Sequence, residues 1–451
     1  MNILDKINRN ATFSDDAASI KGADLVVLVD IYLKITNIRK YKIALLICDN
    51  TLGWLIIYLA CLKAQIVPIL IPKNSENSYL DMLASKFKAN LIIDSTIYDE
   101  IFDSKCVSKT CLIKEDVCND VNSKIAIILT TSGSTGSPKC VLLSQKNITS
   151  NAKAISDYLG LLADDVGLVQ LPTSYSYGLS IVNSHLAAGS AIHLTNMSLF
   201  DANFLPSIDN HRITNISGVP SSYEMMFRIG LLKKKFESLR FLTQAGGNLG
   251  LKYKKIFNSY CLDNGLDFYV MYGQTEAGPR IAYVPPARLN DNFDCIGIPI
   301  PGGALSIDSD TGELIYEGPN VMLGYAENFE DLARGDVNKG ILKTGDIAVQ
   351  DSNGFFKIVG RLKRIIKLTG IRYNLDDLER QLSNGFEKNV FTCGSDEKLS
   401  IIIEGPPMES ISPGKVSKMI GIHKTKFKVS FIPEIPMLPS GKVDYSELAK
   451  I

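Results

Sequence analysis

Residues 125–139 read IAIILTTSGSTGSPK, and the joint between their two halves decides how the chain is organised. The first six, 125–130, are almost all apolar and β-prone, the composition of a strand buried on both faces. Small hydroxylated residues and glycines follow without a gap: Thr131, Ser132, Gly133, Ser134, Thr135 and Gly136, then Ser137, Pro138 and Lys139. Glycine lets the backbone come close to a ligand and present successive N–H groups to it. The hydroxyls add donors, and Lys139 adds a positive point charge. Together they suit a polyphosphate. This is not the Walker pattern GxxxxGK(S/T), because no Gly-Lys-Ser/Thr step occurs here. A flexible Gly/Ser linker is the bland alternative, but a linker rarely sits directly on a buried strand and ends in Pro-Lys.

The flanking chain repeats strand and helix. Residues 42–48 (KIALLIC) read as a buried strand, with Asn50 and Thr51 as N-cap candidates for a helix over 52–64. Strands follow at 66–71 and 90–94, with a helix over 78–88 between them. Downstream come a short strand at 140–143, a helix capped by Ser144 and running to about 159, and strands at 168–171, 240–243 and 268–271. Such alternation indicates parallel sheet flanked by helices.

At 451 residues the chain is long enough for two or three domains, and 45% hydrophobic residues can bury a large core. Lys+Arg and Asp+Glu both count 48, so nothing suggests broad attraction to nucleic acid or membrane. The nine cysteines are scattered, with no CxxC pair or Cys/His metal spacing, which fits a reduced cytosol. The N-terminus lacks the apolar core of a signal peptide. The most apolar stretch, 53–71, is broken by Lys63, Gln65 and Pro68, so no integral membrane segment is expected.

Further motifs follow in order. Residues 172–180 read PTSYSYGLS, in which Tyr175, Tyr177 and Gly178 either line a pocket or form a half-buried strand pair. Gly246 and Gly247 in QAGGNL permit close approach to a flat ligand. In YGQTE, 272–276, Tyr272 can stack on a purine face and Gly273 allows a turn. The Thr275 hydroxyl can bond a phosphate, and Glu276 offers a hard oxygen to Mg²⁺. Segments 296–303 and 312–325 read as architectural, with a hairpin over 304–317. KTGD at 343–346 carries Asp346, an acceptor suited to a diol. The run GRLKRIIKLTGIR, 360–372, precedes an amphipathic helix at 375–382, and LPSGKVD, 438–444, puts Lys442 on an exposed turn.

In these motifs and their order the chain resembles the adenylate-forming superfamily: acyl-CoA synthetases, adenylation domains of peptide synthetases, and luciferases. The resemblance covers essentially the whole chain and is sharpest at 131–139, 272–276, 343–346, 360–372 and 438–444. It implies an α/β fold: a large N-terminal domain, 1–360, of layered, mostly parallel sheets with flanking helices, and a small α+β mobile C-terminal domain, 361–451. It implies ATP and Mg²⁺ as cofactors, with Thr131–Gly136 and Lys139 on the phosphates and Gly246, Gly247, Tyr272 and Gly273 around the adenine. Asp346 and Arg361 would hold the ribose, Glu276 the metal, and Lys363 the hinge. Lys442, with Glu276 and Thr275, would be catalytic. The substrate would be a small carboxylic acid in a pocket lined by Tyr175, Tyr177 and Gly178. Family members that activate amino acids carry an aspartate in this segment; residues 172–184 hold no acidic residue, which favours a plain carboxylic acid. The acyl acceptor would be CoA or the pantetheine of a carrier protein. The alternatives are a stand-alone adenylating enzyme serving an acyl or peptidyl carrier, and a non-catalytic nucleotide-binding homologue. A cytoplasmic location is expected.

Overall fold

The structure is a computed structural model. It describes residues 3–36, 38–95, 110–112, 121–130, 139–368, 371–395, 398–437 and 443–451. The chain divides into two compact units, one of residues 1–304 with 316–342 and the other of 305–315 with 343–451.

The first unit is built on two large sheets. The seven-stranded sheet has Val67–Pro72, Ile43–Cys48 and Leu91–Asp94 at its centre, with Ile43–Cys48 between the other two and parallel to both. Strand Ile125–Thr130 runs parallel to Val67–Pro72 on one side and antiparallel to Cys140–Ser144 on the other. Apart from Asp94, Thr130 and Ser144 at their ends, these strands are apolar because both faces are covered. Ala44 and Leu46 face one core cluster, while Ile43 and Leu45 face a second, into which helix Asn77–Phe87 packs Leu80, Leu83 and Phe87. The two-residue period of a strand makes this division automatic.

The nine-stranded sheet runs, edge to edge, from Ile298–Pro299 through Arg280–Val284, Asp267–Gly273, Phe241–Gln244, Asn215–Gly218, Val166–Val169 and Ala191–Leu194 to Thr12–Ser14 and Ser19–Lys21. The five strands from Asp267–Gly273 to Ala191–Leu194 pair in parallel. One core cluster joins the two sheets through helices Leu52–Ala64, Gln145–Leu159 and Ser176–Ala188. That placement explains the composition of Leu52–Ala64, which is apolar around its circumference and buried from Leu52 to Leu62. Full burial of one Leu or Ile side chain contributes about 1.5–3 kcal/mol.

Local signals set the helix ends. Thr51, rather than Asn50, caps Leu52–Ala64, its side chain accepting from the Trp54 amide at 3.2 Å. Ser144 caps Gln145–Leu159 in a reciprocal box with Asn147. Asn50 does something else. Its buried amide donates to the carbonyl oxygens of Val169, Leu171 and Thr195, and its oxygen accepts from the Thr173 amide. One side chain thus fastens the segment that enters the candidate pocket to both sheets.

The second unit contains most of a four-stranded sheet of Ala304–Ile307, Glu313–Glu317, Ile341–Gln350 and Phe356–Arg361. A two-stranded ribbon, Ile365–Leu368 with Ile371–Asn374, follows. Then comes a three-stranded sheet of Val390–Gly394, Leu399–Glu404 and Phe427–Ile432. Helices Leu375–Phe386 and Pro413–Ile420 bury Leu378, Leu382, Val416 and Ile420 in its core. Among the described residues, no helix is long and apolar enough to cross a membrane.

Candidate active site

The candidate residues of the first unit gather where loops leave the carboxyl ends of parallel strands, the usual ligand crevice of open α/β sheets. Strand Asp267–Gly273 ends at Gly273, where a Cβ would lie 1.9 Å from the Pro279 carbonyl oxygen. A 3-10 turn, Thr275–Ala277, then presents Thr275 and Glu276. The segment 320–325 clamps this turn. The Met322 amide donates to the Glu276 carbonyl at 2.8 Å, and the Asn320 amide group donates to the carbonyls of Ala277 and Arg280 at 2.6 and 2.9 Å.

The Tyr325 hydroxyl donates to Glu276 Oε1 at 2.7 Å. Partial burial and the Glu276 carboxylate both push the Tyr325 phenol above its ordinary range, so it stays a donor. Lys139 Nζ stands 5.5 Å from the centroid of the Tyr325 ring and 4.0 Å from Glu327 Oε1. The structure therefore brings Lys139 to Glu276 through Tyr325. Tyr325 lies in the GY step that read as architecture; nothing local distinguishes it from a packing tyrosine.

Thr275 Oγ1 lies 3.1 Å from Ser176 Oγ, which ties the turn to the start of helix Ser176–Ala188. This helix corrects the reading of Tyr175 and Tyr177 as a strand pair: Tyr175 is its N-cap and Tyr177 its second residue. Gly178 permits the helix to start there, since a Cβ would sit 2.3 Å from the Pro172 carbonyl oxygen. Tyr177 is buried, and its hydroxyl bonds Thr243 through Oγ1 at 2.8 Å and the carbonyl at 3.1 Å. Burial raises the Tyr175 phenol to about 12.

The turn after Phe241–Gln244 is fastened by Gln244, whose side-chain amide donates to the carbonyls of Ala245 and Gly247. Gly246 has φ +82°, and a Cβ on it would come within 3.0 Å of the Tyr175 hydroxyl. Tyr175 and the paired glycines thus share one wall. Lys254, which no motif announces, anchors the far side: its ammonium donates to Asn248 Oδ1 at 3.0 Å and the Phe293 carbonyl at 2.7 Å. Burial lowers its pKa to about 8. Tyr272 is half-buried and accepts from the Gln274 amide at 3.2 Å.

Arg280 is a second residue that sequence reasoning passed over. It is 3% exposed, its guanidinium lies 4.6 Å from the Tyr177 ring centroid, and Nη2 donates to Ser180 Oγ at 3.3 Å. Its only signal in the sequence is its place four residues after Glu276.

In the second unit, Asp346 and Arg361 are cross-strand partners, with Arg361 Nε donating to Asp346 Oδ1 at 3.0 Å. Asp346 is buried while the Arg361 side chain is 60% exposed. Gly345, at φ +75°, donates its amide to Glu313 Oε1 and turns the strand into this pair. Lys363 falls in the short turn Leu362–Arg364; its side chain lies outside what the structure describes. So do Thr131, Ser132, Gly133, Ser134, Thr135 and Gly136, and Lys442.

Among the described residues no group of three or more His, Cys, Asp and Glu could hold a metal. Glu276 alone still fits Mg²⁺, which is bound by one or two carboxylates together with substrate phosphate oxygens and water.

A model of the family described as AMP-binding enzyme matches residues 32–326. A 4-coumarate–CoA ligase-like protein of Arabidopsis thaliana is 28% identical over 352 residues, 72% of this chain and 62% of that protein. An indoleacetate–CoA ligase of Aromatoleum aromaticum is 30% identical over 346 residues, 72% of this chain and 67% of that protein. The match thus spans less than two thirds of the length of the first relative. The solved o-succinylbenzoate CoA synthetase of Bacillus subtilis, with its acyl-adenylate bound, shares the fold. Its TM-score is 0.77 at 20% identity, covering 98% of this chain and 96% of that one.

Proposed function

The chain belongs to the AMP-binding enzyme family, and from that premise we propose that it is an AMP-forming acid–thiol ligase. It joins a small carboxylic acid to ATP, releasing pyrophosphate, and passes the acyl group from the adenylate to the thiol of CoA. The convergence of Lys139, Tyr325 and Glu276 beside the Thr275–Ser176 contact carries this reading.

The chemistry is the approach of two anions, so the protein's work is neutralising and positioning charge. Lys139 and the hydroxyls and amides of residues 131–136 receive the β- and γ-phosphates. Glu276, oriented by Tyr325, supplies the carboxylate for Mg²⁺, which would neutralise the departing pyrophosphate. Tyr272 and the Gly246–Gly247 turn receive the adenine, and Asp346 with Arg361 the ribose. The acid enters along Tyr175, Tyr177 and Gly178. Lys442 bridges the acid carboxylate and the α-phosphate as charge develops. A functional division at residue 360, with Lys363 as hinge, lets residues 361–451 withdraw Lys442 and admit the thiol. Cys48, Cys61, Cys140, Cys261, Cys295 and Cys393 are free and buried, in keeping with a cytoplasmic home.

The test is acid-dependent exchange of pyrophosphate into ATP across a panel of carboxylic acids, followed by acyl-CoA formation. Exchange with one acid class and acyl-CoA as product are expected. Exchange without transfer to CoA, but with transfer to a pantetheine-bearing carrier, would replace CoA by a carrier protein. ATP binding without exchange for any acid would overturn the ligase reading.

A further inference from the structure

Arg280 is a buried cation packed against helix Ser176–Ala188, whose first residues belong to the proposed acid pocket, and among the described residues no carboxylate pairs with it. Its partners are neutral: the Ser180 hydroxyl at 3.3 Å, the face of Tyr177 at 4.6 Å, and the Tyr158 phenol, to which it hydrogen-bonds. Among the described residues Nε has no hydrogen-bond partner, and the residue is 3% exposed. Tyr158 and Tyr175 also lie within its field. A guanidinium keeps its charge in proteins, and its planar fork of donors matches a carboxylate. The chain contains its own comparison. Arg364, also largely buried, is matched by the carboxylates of Asp376 and Glu379. An interior arginine left with neutral hydroxyls and a ring has no countercharge among the described residues.

We infer that the acid activated here carries a second carboxylate, remote from the one that is adenylated, and that Arg280 receives it. This rests on the acid–thiol ligase reading above. The placement follows from helix Ser176–Ala188. Ser176 touches Thr275 at the adenylation end, and Ser180, one turn further along, touches Arg280. The two points are separated by about one helical pitch, roughly 5–6 Å. The aromatic rings of Tyr175 and Tyr177 belong to the same stretch. The pocket is therefore complementary to a dicarboxylic acid with a short apolar or aromatic spacer, and Arg280 makes it reject the acid lacking the second group, because the charge is then left unmatched.

The test uses the full chain and matched acid pairs: benzoate against the benzenedicarboxylates, and hexanoate against adipate, in ATP–pyrophosphate exchange. The readout is the ratio of kcat/KM for the diacid to that for its monoacid. Wild type is expected to favour the diacid of at least one pair by about 100-fold, Arg280→Lys to keep about a tenth of that preference, and Arg280→Met to lose it. Three results would overturn the inference: a wild-type ratio of one or less in both pairs, a ratio unchanged in Arg280→Met, or a fall in both acids together that leaves the ratio intact. Should Arg280→Met not fold, the wild-type ratio and Arg280→Lys still decide. Exchange with monoacids alone overturns this inference and leaves the ligase reading standing; no exchange with any acid removes both.

Discussion

Replacing Arg364 by Met tests how the segment that follows Lys442 is held. Arg364 Nε donates to Asp376 Oδ1 at 2.6 Å and Nη2 to Glu379 Oε1 at 2.5 Å, and its guanidinium lies 4.0 Å from the centroid of the Tyr445 ring. Tyr445 in turn donates to Glu379 Oε2 at 3.0 Å, three residues after Lys442. The Arg364 and Glu379 side chains are 12% and 15% exposed. Burial pushes the Glu379 carboxyl up, against the pull of Arg364. Removing one partner of a buried ion pair costs about 3–5 kcal/mol. Glu379 keeps the Thr392 amide at 2.7 Å and Tyr445, so we expect the lower part of that range, about 3 kcal/mol. A unit of this size loses roughly 10–20 °C in melting temperature for such a change. Calorimetry should show the transition of the second unit at that lower temperature, with Arg364→Lys between variant and wild type. Limited proteolysis at 25 °C should cut the last residues of the variant sooner, and its adenylation rate should fall. A melting curve that overlays wild type within about 2 °C would refute the claim that this network anchors the C-terminal segment.

Three further outcomes follow from named contacts. Glu276→Gln removes the proposed metal carboxylate and leaves a neutral partner for Tyr325; the Mg²⁺ concentration for half-maximal exchange should rise at least tenfold, and an unchanged Mg²⁺ dependence would contradict the assignment. Lys254 titrates near 8 when folded against 10.5 unfolded, so between these values the unfolded chain binds more protons and stability rises with pH. The rise amounts to about 3 kcal/mol from pH 8 to 10.5, with the burial cost fully present below pH 8. Urea titrations should show this rise in wild type and not in Lys254→Met; parallel pH profiles would sink it. Lys442→Ala should lose adenylation by 100-fold or more with ATP binding largely retained, and full adenylation by that variant would end its catalytic role.

Much of the first unit was legible because its signals are local. Residues 43–48 are apolar at every position since both faces are covered, and the alternation of Ile43 and Leu45 with Ala44 and Leu46 appears in the two core clusters. Ser144 carries its own cap chemistry in sequence. What was hidden depends on contacts made far along the chain. Tyr177 begins a helix because Gly178 packs against Pro172 and its own hydroxyl reaches Thr243. Arg280 reads as a strand-edge arginine until helix Ser176–Ala188 covers it, and Lys254 reads as a surface lysine until Asn248 and Phe293 close over it. Tyr325 joins Lys139 to Glu276 across more than forty residues on one side and more than a hundred on the other. Lys139, Thr275 and Glu276 stood out in the sequence because an ammonium, a hydroxyl and a carboxylate set in glycine-bearing motifs suit a phosphate and a metal ion.

The central claim is that the chain makes an acyl-adenylate, and mass spectrometry of the enzyme with ATP, Mg²⁺ and a panel of mono- and dicarboxylic acids, without CoA, tests it most directly. The account predicts an ion at the mass of the acid joined to AMP, absent without the acid and lost in Lys442→Ala. ATP consumed to ADP, or no acid-dependent adenylate from any member of the panel, would contradict it.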